Sequence, residues 1–545
     1  MSVLATATSG LLAAQRTLET ISHNITNAGT VGYSRQTAEY GTKPAERTGA
    51  GYIGQGVNIT TVSRSYDQFI TARLNASTAS FAEADGFSTM ATQVDDLVSN
   101  ATSGVPVALK SFFNMANEVA NNPTSIPVRQ AMLSGADAVA KSFNDMSAQL
   151  SSFRTQVNGQ MQSMVTDVNS MAKTIAELNV KIVTDTRSNG GQQPNDLLDQ
   201  RDTLLNKIAQ NVGVSSITQT DGTVSVFVGN GLPLVLGINS YVMSTAPSST
   251  DGRQLDILVN GQNITPSITG GALSGALKFR DTVLDPAQQQ LGLVAAGFAG
   301  AFNQMHKAGY DLNGALGTAM FSVEATSASP VPVTSSSGIA STITAAYDPA
   351  TLGNLQASDY RLDYDGAAYS LTRLSDNKAI FTAGALPATV EGMMIDVTTA
   401  PTAGQSFLIR PTYDAASLIK SLITDPKLVA AADSNLLGPQ PGNNKAALKF
   451  AALENTPLFG GSVSLNGAYG ALVSNVATLT QSGQNSSAAQ QTLLNSVKQT
   501  QSNLAGVNLD EEAANLIKFQ NAYQASAKAV SIANSLFTTL IGAIA

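Results

Sequence analysis

Residues 4–29 read LATATSGLLAAQRTLETISHNITNAG, and the spacing of their apolar residues decides how the rest of the chain is read. Leu4, Ala7, Leu11, Ala14, Leu18, Ile21 and Ile25 recur in alternating steps of three and four. That is a heptad seam, which predicts a helix burying one narrow stripe against a partner helix. The seam stops at Asn27-Ala28-Gly29, a natural helix end. The far end of the chain mirrors it. Leu516, Phe519, Tyr523, Ser526, Val530, Ala533, Phe537, Leu540 and Ile544 follow the same alternation. The simplest reading is that the first and last helices pair as a coiled coil, with the globular parts between them. A single pair with few charges is marginal alone, so both ends are expected to be largely disordered in an isolated monomer.

The middle of the chain divides by pattern. Residues 30–65 read as irregular or extended, with a short strand where Val57, Ile59 and Thr61 alternate with polar neighbours. Helical pattern resumes near Tyr66. The longest helix is predicted over 139–182, on a seam from Val139 and Phe143 to Leu178 and Ile182. A stutter at Val157–Met161 relaxes its supercoil. At about 1.5 Å per residue such a rod is roughly 65 Å long. Asn189-Gly190-Gly191 ends it, and a second helix covers Asp196–Gln210. Residues 212–282 read as a small β region, and a core helix runs from Pro286 to about Lys307 within 283–314. Residues 315–410 are rich in Ser, Thr, Ala, Gly and Pro and read as an inserted all-β domain. A helix and a Gly/Pro/Asn loop fill 411–464, and 465–545 is helical. The predicted domains are therefore 1–65, 66–211, 212–282, 283–314, 315–410, 411–464 and 465–545. The fold class is mainly α with β insertions: an elongated multi-domain protein with a long helical-bundle core.

Composition excludes several function classes. The 545 residues are 43% hydrophobic but only 12% charged, about half the usual share of roughly 25%. A polar, weakly charged surface suits packing against other subunits. The net charge is -8 and no Lys/Arg cluster occurs, so no nucleic-acid partner is expected. With no Cys and two His, disulfides, thiolate zinc sites and a Cys nucleophile are excluded. No apolar run is long enough to span a membrane, and the first residues lack the basic start of a cleaved signal peptide.

Individual motifs read the same way. Gly49-Ala50-Gly51-Tyr52-Ile53-Gly54 matches a dinucleotide-binding pattern by letters, but an Arg/Pro loop precedes it and a strand-like run follows, so it reads as a turn. Asp196, Asp199 and Asp202 share a helix face. They read as helix-dipole partners with Arg201 and Lys207 near enough to pair, rather than as a carboxylate pair for glycosidic hydrolysis. His23 reads as a surface or interface residue. His306 reads as a helix-terminal histidine, where an imidazolium is favoured. Met residues in the long helix read as adaptable core packing. Asn-Ile-Thr at 24–26, 58–60 and 263–265 are glycosylation sequons by pattern only. No catalytic residue, cofactor or metal is expected.

One further pattern carries a resemblance. Ser22-His23-Asn24-Ile25-Thr26-Asn27-Ala28-Gly29-Thr30-Val31-Gly32-Tyr33-Ser34-Arg35 resembles the Asn-x-x-Asn-x-x-Thr-x-Gly-Tyr motif of bacterial flagellar axial proteins, the rod, hook and hook-associated proteins. Gly54-Gln55-Gly56-Val57 through Arg64-Ser65-Tyr66-Asp67 is similar to that family too. So are Gly506-Val507-Asn508-Leu509-Asp510-Glu511-Glu512 and Gln520-Asn521-Ala522-Tyr523-Gln524-Ala525-Ser526 at the other end. Residues 195–202 (NDLLDQRD) and 270–281 (GGALSGALKFRD) narrow the resemblance to the hook-associated junction proteins. Residues 315–410 carry no resemblance. The resemblance implies a ring of identical subunits that adapts hook to filament, touching the hook protein and a second junction protein. It also implies export through the flagellar type III apparatus, without a cleaved signal and with a cytoplasmic chaperone on the C-terminal helix. The expected interface residues are Leu11, Leu18, Ile21, Asn24, Asn27, Gly32, Tyr33, Leu516, Tyr523, Val530 and Phe537. Hook protein or flagellin is the structural alternative. A glycan-binding adhesin or enzyme seated in 315–410 is the other.

Overall fold

The computed structural model describes residues 3–48, 51–100, 104–248, 251–322, 328–331, 342–436 and 438–544. The chain opens with helix α1 (Val3–Thr26) and a ribbon of four strands, β1 (Gln36–Thr42), β2 (Glu46–Thr48), β3 (Gly51–Ile53) and β4 (Val57–Arg64). β1 pairs antiparallel with β4, and β2 with β3. The Gly51–Ile53 part of the dinucleotide-like motif is thus a hairpin strand, and β4 rather than a helix follows it; Gly49 and Ala50 lie outside the described residues.

The body is helical. α2 (Gln68–Val98) is capped by Asp67, whose carboxylate accepts from the Phe69 and Ile70 amides. α3 (Val105–Asn121) and α4 (Ile126–Ser188) each carry Pro in the first turn, where its missing N–H costs nothing. α5 (Asn195–Asn211) follows as expected. α4 begins well before the predicted start at 139. Its early turns bury Met132, Leu133 and Ala136, and Arg129 there donates to Pro123 O at 2.6 Å and Val429 O at 2.6 Å. Its buried stripe also departs from heptads. Met146, Leu150, Arg154, Val157, Met161, Val165 and Val168 step four, four, three, twice over. An eleven-residue repeat keeps a stripe on one face of a nearly straight helix. The relaxed section is therefore longer than one stutter, and the expected seam members Phe153, Met164 and Met171 are only half-buried.

The β region after α5 forms a four-stranded sheet over 214–240 and a three-stranded one over 243–263. Its predicted extension to 282 is corrected by α6 (Gly271–Phe279), which runs through a π-turn at Arg280–Leu284 into α7 (Asp285–Lys307). α6 is buried on nearly every side, so it shows no polar face to reveal a helical period. A Cβ at Gly275 would lie 2.4 Å from Glu83 O, so glycine lets α6 seat directly on the α2 backbone. Phe112 on α3, Phe298 and Phe302 on α7, Phe321 and Phe450 form the aromatic centre of the core, with the Phe298 and Phe321 rings 4.8 Å apart.

The described part of the predicted insertion is β-structured. A five-stranded antiparallel sheet has the order 328–331, 406–409, 360–364, 369–373, 378–384, beside a three-stranded sheet over 342–399. Residues 323–327 and 332–341 lie outside the described residues. The chain then returns through α8 (Ala415–Leu418) and α9 (Lys445–Ala452) to α10 (Leu465–Ala505), which packs along α2, and ends in α11 (Leu509–Ile544).

His306 differs from its expected role. It ends α7, but it is fully buried between the rings of Phe302 and Phe450. Nδ1 lies 2.6 Å from Thr318 O, and Nε2 accepts from the Ala430 amide at 3.0 Å. That pairing needs the neutral ring, and burial pushes its pKa down to about 4.

Candidate assembly site

α1 packs along α11 with opposite chain direction. Two contacts fix the register. Asn24 Nδ2 donates to Glu512 Oε2 at 3.2 Å, and a Cβ at Gly10 would lie 3.2 Å from Ser526 Oγ. The other flank of α1 meets the β1–β4 ribbon. Ser9 Oγ accepts from the Val57 amide at 3.2 Å, and Thr17 shares a short hydrogen bond with the Tyr40 hydroxyl. With neighbours on two sides, the residues of α1 that become buried are Ser9, Ala13, Ala14, Thr17, Ile21 and Asn24. The expected seam is only partly the buried face: Ile21 is buried, while Leu11 and Leu18 are half-buried. On α11, Leu516 and Val530 are half-buried, and Tyr523 and Phe537 are exposed. The side chains of Leu540 and Ile544 lie outside the described residues.

A polar clasp closes one end of this helix pair. Asn24 uses its whole amide. Oδ1 accepts from the Tyr33 hydroxyl at 2.7 Å and the Gln36 amide at 2.9 Å, while Nδ2 donates to Gln36 O at 2.9 Å and to Glu512. Aspartate would lack the donors and leucine everything, so the geometry calls for Asn. Burial, with the carboxylates of Asp196, Asp199 and Glu512, pushes the Tyr33 phenol far up, so it stays a donor. Asn27 donates to His23 O at 3.1 Å and accepts from Thr30 Oγ1 at 3.1 Å, shaping the turn that follows α1. Gly32 stands at φ +84°, and a Cβ there would strike Thr203 Oγ1 at 2.1 Å. Arg35 reaches α11, with Nε 2.7 Å from Glu512 Oε1 and Nη1 3.0 Å from Glu511 Oε2. Those acidic groups sit in the first turn of α11, where the helix dipole favours them.

α5 holds the clasp to the body. Asp199 accepts from the Ser34 amide at 2.8 Å and from Arg64 Nη1 at 2.7 Å; the same Nη1 lies 2.7 Å from Asp202. Arg64 also covers the Tyr66 ring at 4.2 Å. Burial opposes charge on Arg64, but the two carboxylates outweigh it and hold its pKa above the ordinary value. Burial raises Asp202 against the pull of Arg64. The expected pairing of these carboxylates with Arg201 or Lys207 is corrected. Arg201 points away from them to Asn179 Oδ1 at 3.1 Å and Gly222 O at 2.8 Å. Residues one or two apart on a helix do not face each other. Ser34, Arg64, Glu511 and Glu512 stand in the motifs that carry the resemblance but are not among the expected interface residues. His23, half-buried, lies with Nδ1 3.1 Å from the Tyr33 hydroxyl and Nε2 3.8 Å from Asp196. Among the described residues no cluster of three His, Asp or Glu could hold a metal ion, and no helix is long and apolar enough to cross a membrane.

Terminal helices packed side by side and closed at one end by a polar clasp, on a helical body with a β insertion, match known proteins along nearly the whole chain. Residues 4–33 match the family described as flagella basal body rod protein, and 498–543 the flagellar basal body rod FlgEFG protein C-terminal family. Both ends are therefore those of a flagellar axial protein. Residues 91–321 match the flagellar hook-associated protein FlgK helical domain. Residues 333–411, which carry no resemblance in the sequence reading, match the D2-like domain of flagellar hook-associated protein 1. Flagellar hook-associated protein 1 of Salmonella typhimurium is 33% identical over 98% of both chains, that of Escherichia coli K12 32% over 99% of both, and that of Bacillus subtilis 24% over 99% of this chain and 97% of its own. The flagellar hook junction protein FlgK from Burkholderia pseudomallei, a solved structure, superposes with a TM-score of 0.71 at 26% identity, covering 79% of this chain and 99% of its own. The chain belongs to the flagellar hook-associated protein 1 family, and it is a structural component of the bacterial flagellum.

Proposed function

We propose that this chain is the adaptor between hook and filament: a ring of identical subunits on which the filament is built and retained. The observation that carries this reading is the incomplete cover of α11. In the register set by Asn24–Glu512 and Gly10–Ser526, Val3 stands level with Ala533. Residues 534–544 continue about three turns further. They present Leu536 at 64% and Phe537 at 65% exposure, with Ile541 also exposed. Ile517 and Ile532 on α11 and Leu12 on α1 are exposed as well. Large apolar residues left in water along an end helix favour neighbours.

On this reading α1 and α11 form a coiled coil that hardens on assembly. Alone, a two-helix pair with few charges is marginal and frays. The clasp residues Asn24, Asn27, Gly32 and Tyr33 set the angle at which the pair leaves the body. Leu11, Leu18, Ile21, Leu516, Tyr523, Val530 and Phe537 pack within the pair and against neighbours. The partners are the hook protein on one side and the second junction protein on the other. Before export through the type III apparatus without signal cleavage, a cytoplasmic chaperone covers the apolar face of α11. The protein acts outside the cell, needs no cofactor and catalyses nothing; its work is to match a flexible hook to a stiff filament. The seven segments 1–65, 66–211, 212–282, 283–314, 315–410, 411–464 and 465–545 serve as its working divisions, with the helix at 271 modifying the third. A strain lacking the gene should shed filament subunits into the medium. If it builds filaments and retains them, the junction role is wrong.

A further inference from the structure

Asparagine followed by glycine occurs at Asn158, Asn189, Asn230, Asn260, Asn313 and Asn466. In such a pair the glycine amide nitrogen attacks the asparagine side-chain carbonyl, because no Cβ on the glycine hinders the approach. The new N–Cγ bond closes a succinimide ring, and the side-chain nitrogen leaves as ammonia. Water then opens the ring at either carbonyl, giving aspartate or isoaspartate. The reaction consumes one water and needs no oxidant, cofactor or enzyme. It does need a side-chain amide free to turn and a backbone that can swing the glycine nitrogen toward Cγ.

The fold withholds these at most of the six. Asn158 lies inside α4, with Nδ2 tied to Arg253 O at 3.0 Å. Asn466 lies in the first turn of α10, where the Gly467 amide donates to Ser464 Oγ at 3.2 Å. Asn313 Nδ2 donates to Asp311 Oδ2 at 3.3 Å, and the Gly314 amide to Asp311 O at 3.1 Å. Asn230 Nδ2 donates to Ser267 Oγ at 2.7 Å. Asn260 is exposed, but it stands at φ +52° in the two-residue turn between strands Leu255–Val259 and Gln262–Asn263. Buried Val259 and Ile264 pin that hairpin on both sides, so turning its backbone would disturb the core. Asn189 has no such restraint. It follows the last residue of α4, and residues 187–193 are all exposed. Its neighbours' amides are engaged, Asn189 N with Asp185 O at 3.0 Å and Gly191 N with Thr186 O at 2.8 Å, while the Gly190 amide donates to no backbone carbonyl among the described residues. Opening this last turn uncovers no apolar side chain, so it belongs to the least stable parts of the fold.

We propose that Asn189 is the site of spontaneous deamidation in the folded protein. The product sets a carboxylate at the C-terminal end of a 63-residue helix, one turn from Asp185, where the helix dipole disfavours it. Isoaspartate also lengthens the backbone of the loop that Gln192 pins to the β1–β4 ribbon, through its Nε2 bond to Thr60 O at 2.9 Å. The site takes no part in the clasp or in the surface of α11, so it stands or falls independently of the junction reading.

Ageing the full chain in mildly alkaline buffer, folded and in urea, tests this by peptide mass mapping and isoaspartate methyltransferase labelling. In the folded chain Asn189 should convert roughly tenfold faster than any of the other five, and its product should contain isoaspartate. In urea, where the fold no longer protects the others, the six rates should converge to within a few-fold. Asn189→Gln should remove the fast gain of negative charge on native isoelectric focusing and leave the unfolding midpoint unchanged. The proposal is overturned if the folded chain gains no charge, or if another of the six asparagines leads. It is equally overturned if Asn189 keeps the same lead in urea, or if its product is aspartate alone, which direct hydrolysis would give.

Discussion

α4 and α11 carry apolar stripes of comparable regularity, yet one is satisfied within the chain and the other is not. α4 buries Val139, Phe143, Leu150, Met161, Val168 and Ile175 against α3, α5, α7 and the β region. α11 buries only Glu512 among its described residues, and its apolar residues range from half-buried to mostly exposed. The contrast teaches that a periodic stripe predicts that a partner exists, not which chain supplies it. Its largest expected consequence is a pair of opposite mutational outcomes. Phe143→Ala should cost roughly 3–5 kcal/mol of monomer stability in urea unfolding, because it leaves a cavity in a closed core. Phe537→Ala should leave monomer stability within about 0.5 kcal/mol, since the ring is already in water. The same variant should lower filament retention when it replaces the wild-type copy in a flagellated strain.

The clasp is the exception within the terminal region, because its polar centre, Asn24, Asp199 and Glu512, is buried and Tyr33, Arg35 and Arg64 around it are half-buried. Arg64→Ala would strand Asp199 and Asp202 without their cation. Breaking such a pair typically costs about 3–5 kcal/mol, here concentrated in residues 30–36 and the start of α11. Hydrogen exchange should show that opening there first, with α4 unchanged. A uniform loss across the chain would contradict the clasp as a local device.

Acid should separate the body from the ends in the other direction. His306 is held neutral in the fold, with its pKa down at about 4. Between that value and its unfolded value near 6.5 the unfolded chain binds more protons, so stability rises with pH and acidification removes up to roughly 3 kcal/mol. Asp359 works against this. Burial raises it to about 6, so the folded chain binds its proton more readily and acid favours folding. His306→Gln separates the two. Its stability loss between pH 7 and about pH 4.5 should be smaller than that of the wild type. An equal loss would mean that His306 is not the acid-sensitive group.

A smaller effect is expected at the turn after α1. Gly32→Ala must hold a positive φ and push against Thr203, at a cost of roughly 1–3 kcal/mol. Thr203→Ala in the same chain should recover part of that cost, measured as the unfolding midpoint of the double variant against the single. No recovery would mean that the strain is purely in the backbone.

How much of this was readable in advance follows from range. The heptads of α1 and α11, the long rod of α4 and the helix at 195–211 are local patterns, and each was legible. α6 was not, because Lys278 is the one exposed residue of Gly271–Phe279 and its other polar residue, Ser274, is buried, which leaves no polar face to read. Nor was the length of α4, whose early turns are held by contacts with residues near 426–429 rather than by a continuing seam. In the clasp, Asn24, Asn27, Gly32 and Tyr33 stood out as a motif. Their partners Asp199 and Glu512 lie far along the chain, and nothing in a single sequence links Asn24 to Glu512 or Ser34 to Asp199. The second neighbour of α1, the β1–β4 ribbon, shifts its buried face off the heptad seam in a way that spacing alone does not reveal.

Hydrogen exchange on residues 509–544, in the monomer and in the assembled junction, tests the central claim most directly. The account predicts that α11 exchanges much faster than the buried stripe of α4 in the monomer, with residues 534–544 unprotected, and that the whole helix becomes protected on assembly. Protection of α11 in the monomer equal to that of α4 would contradict it.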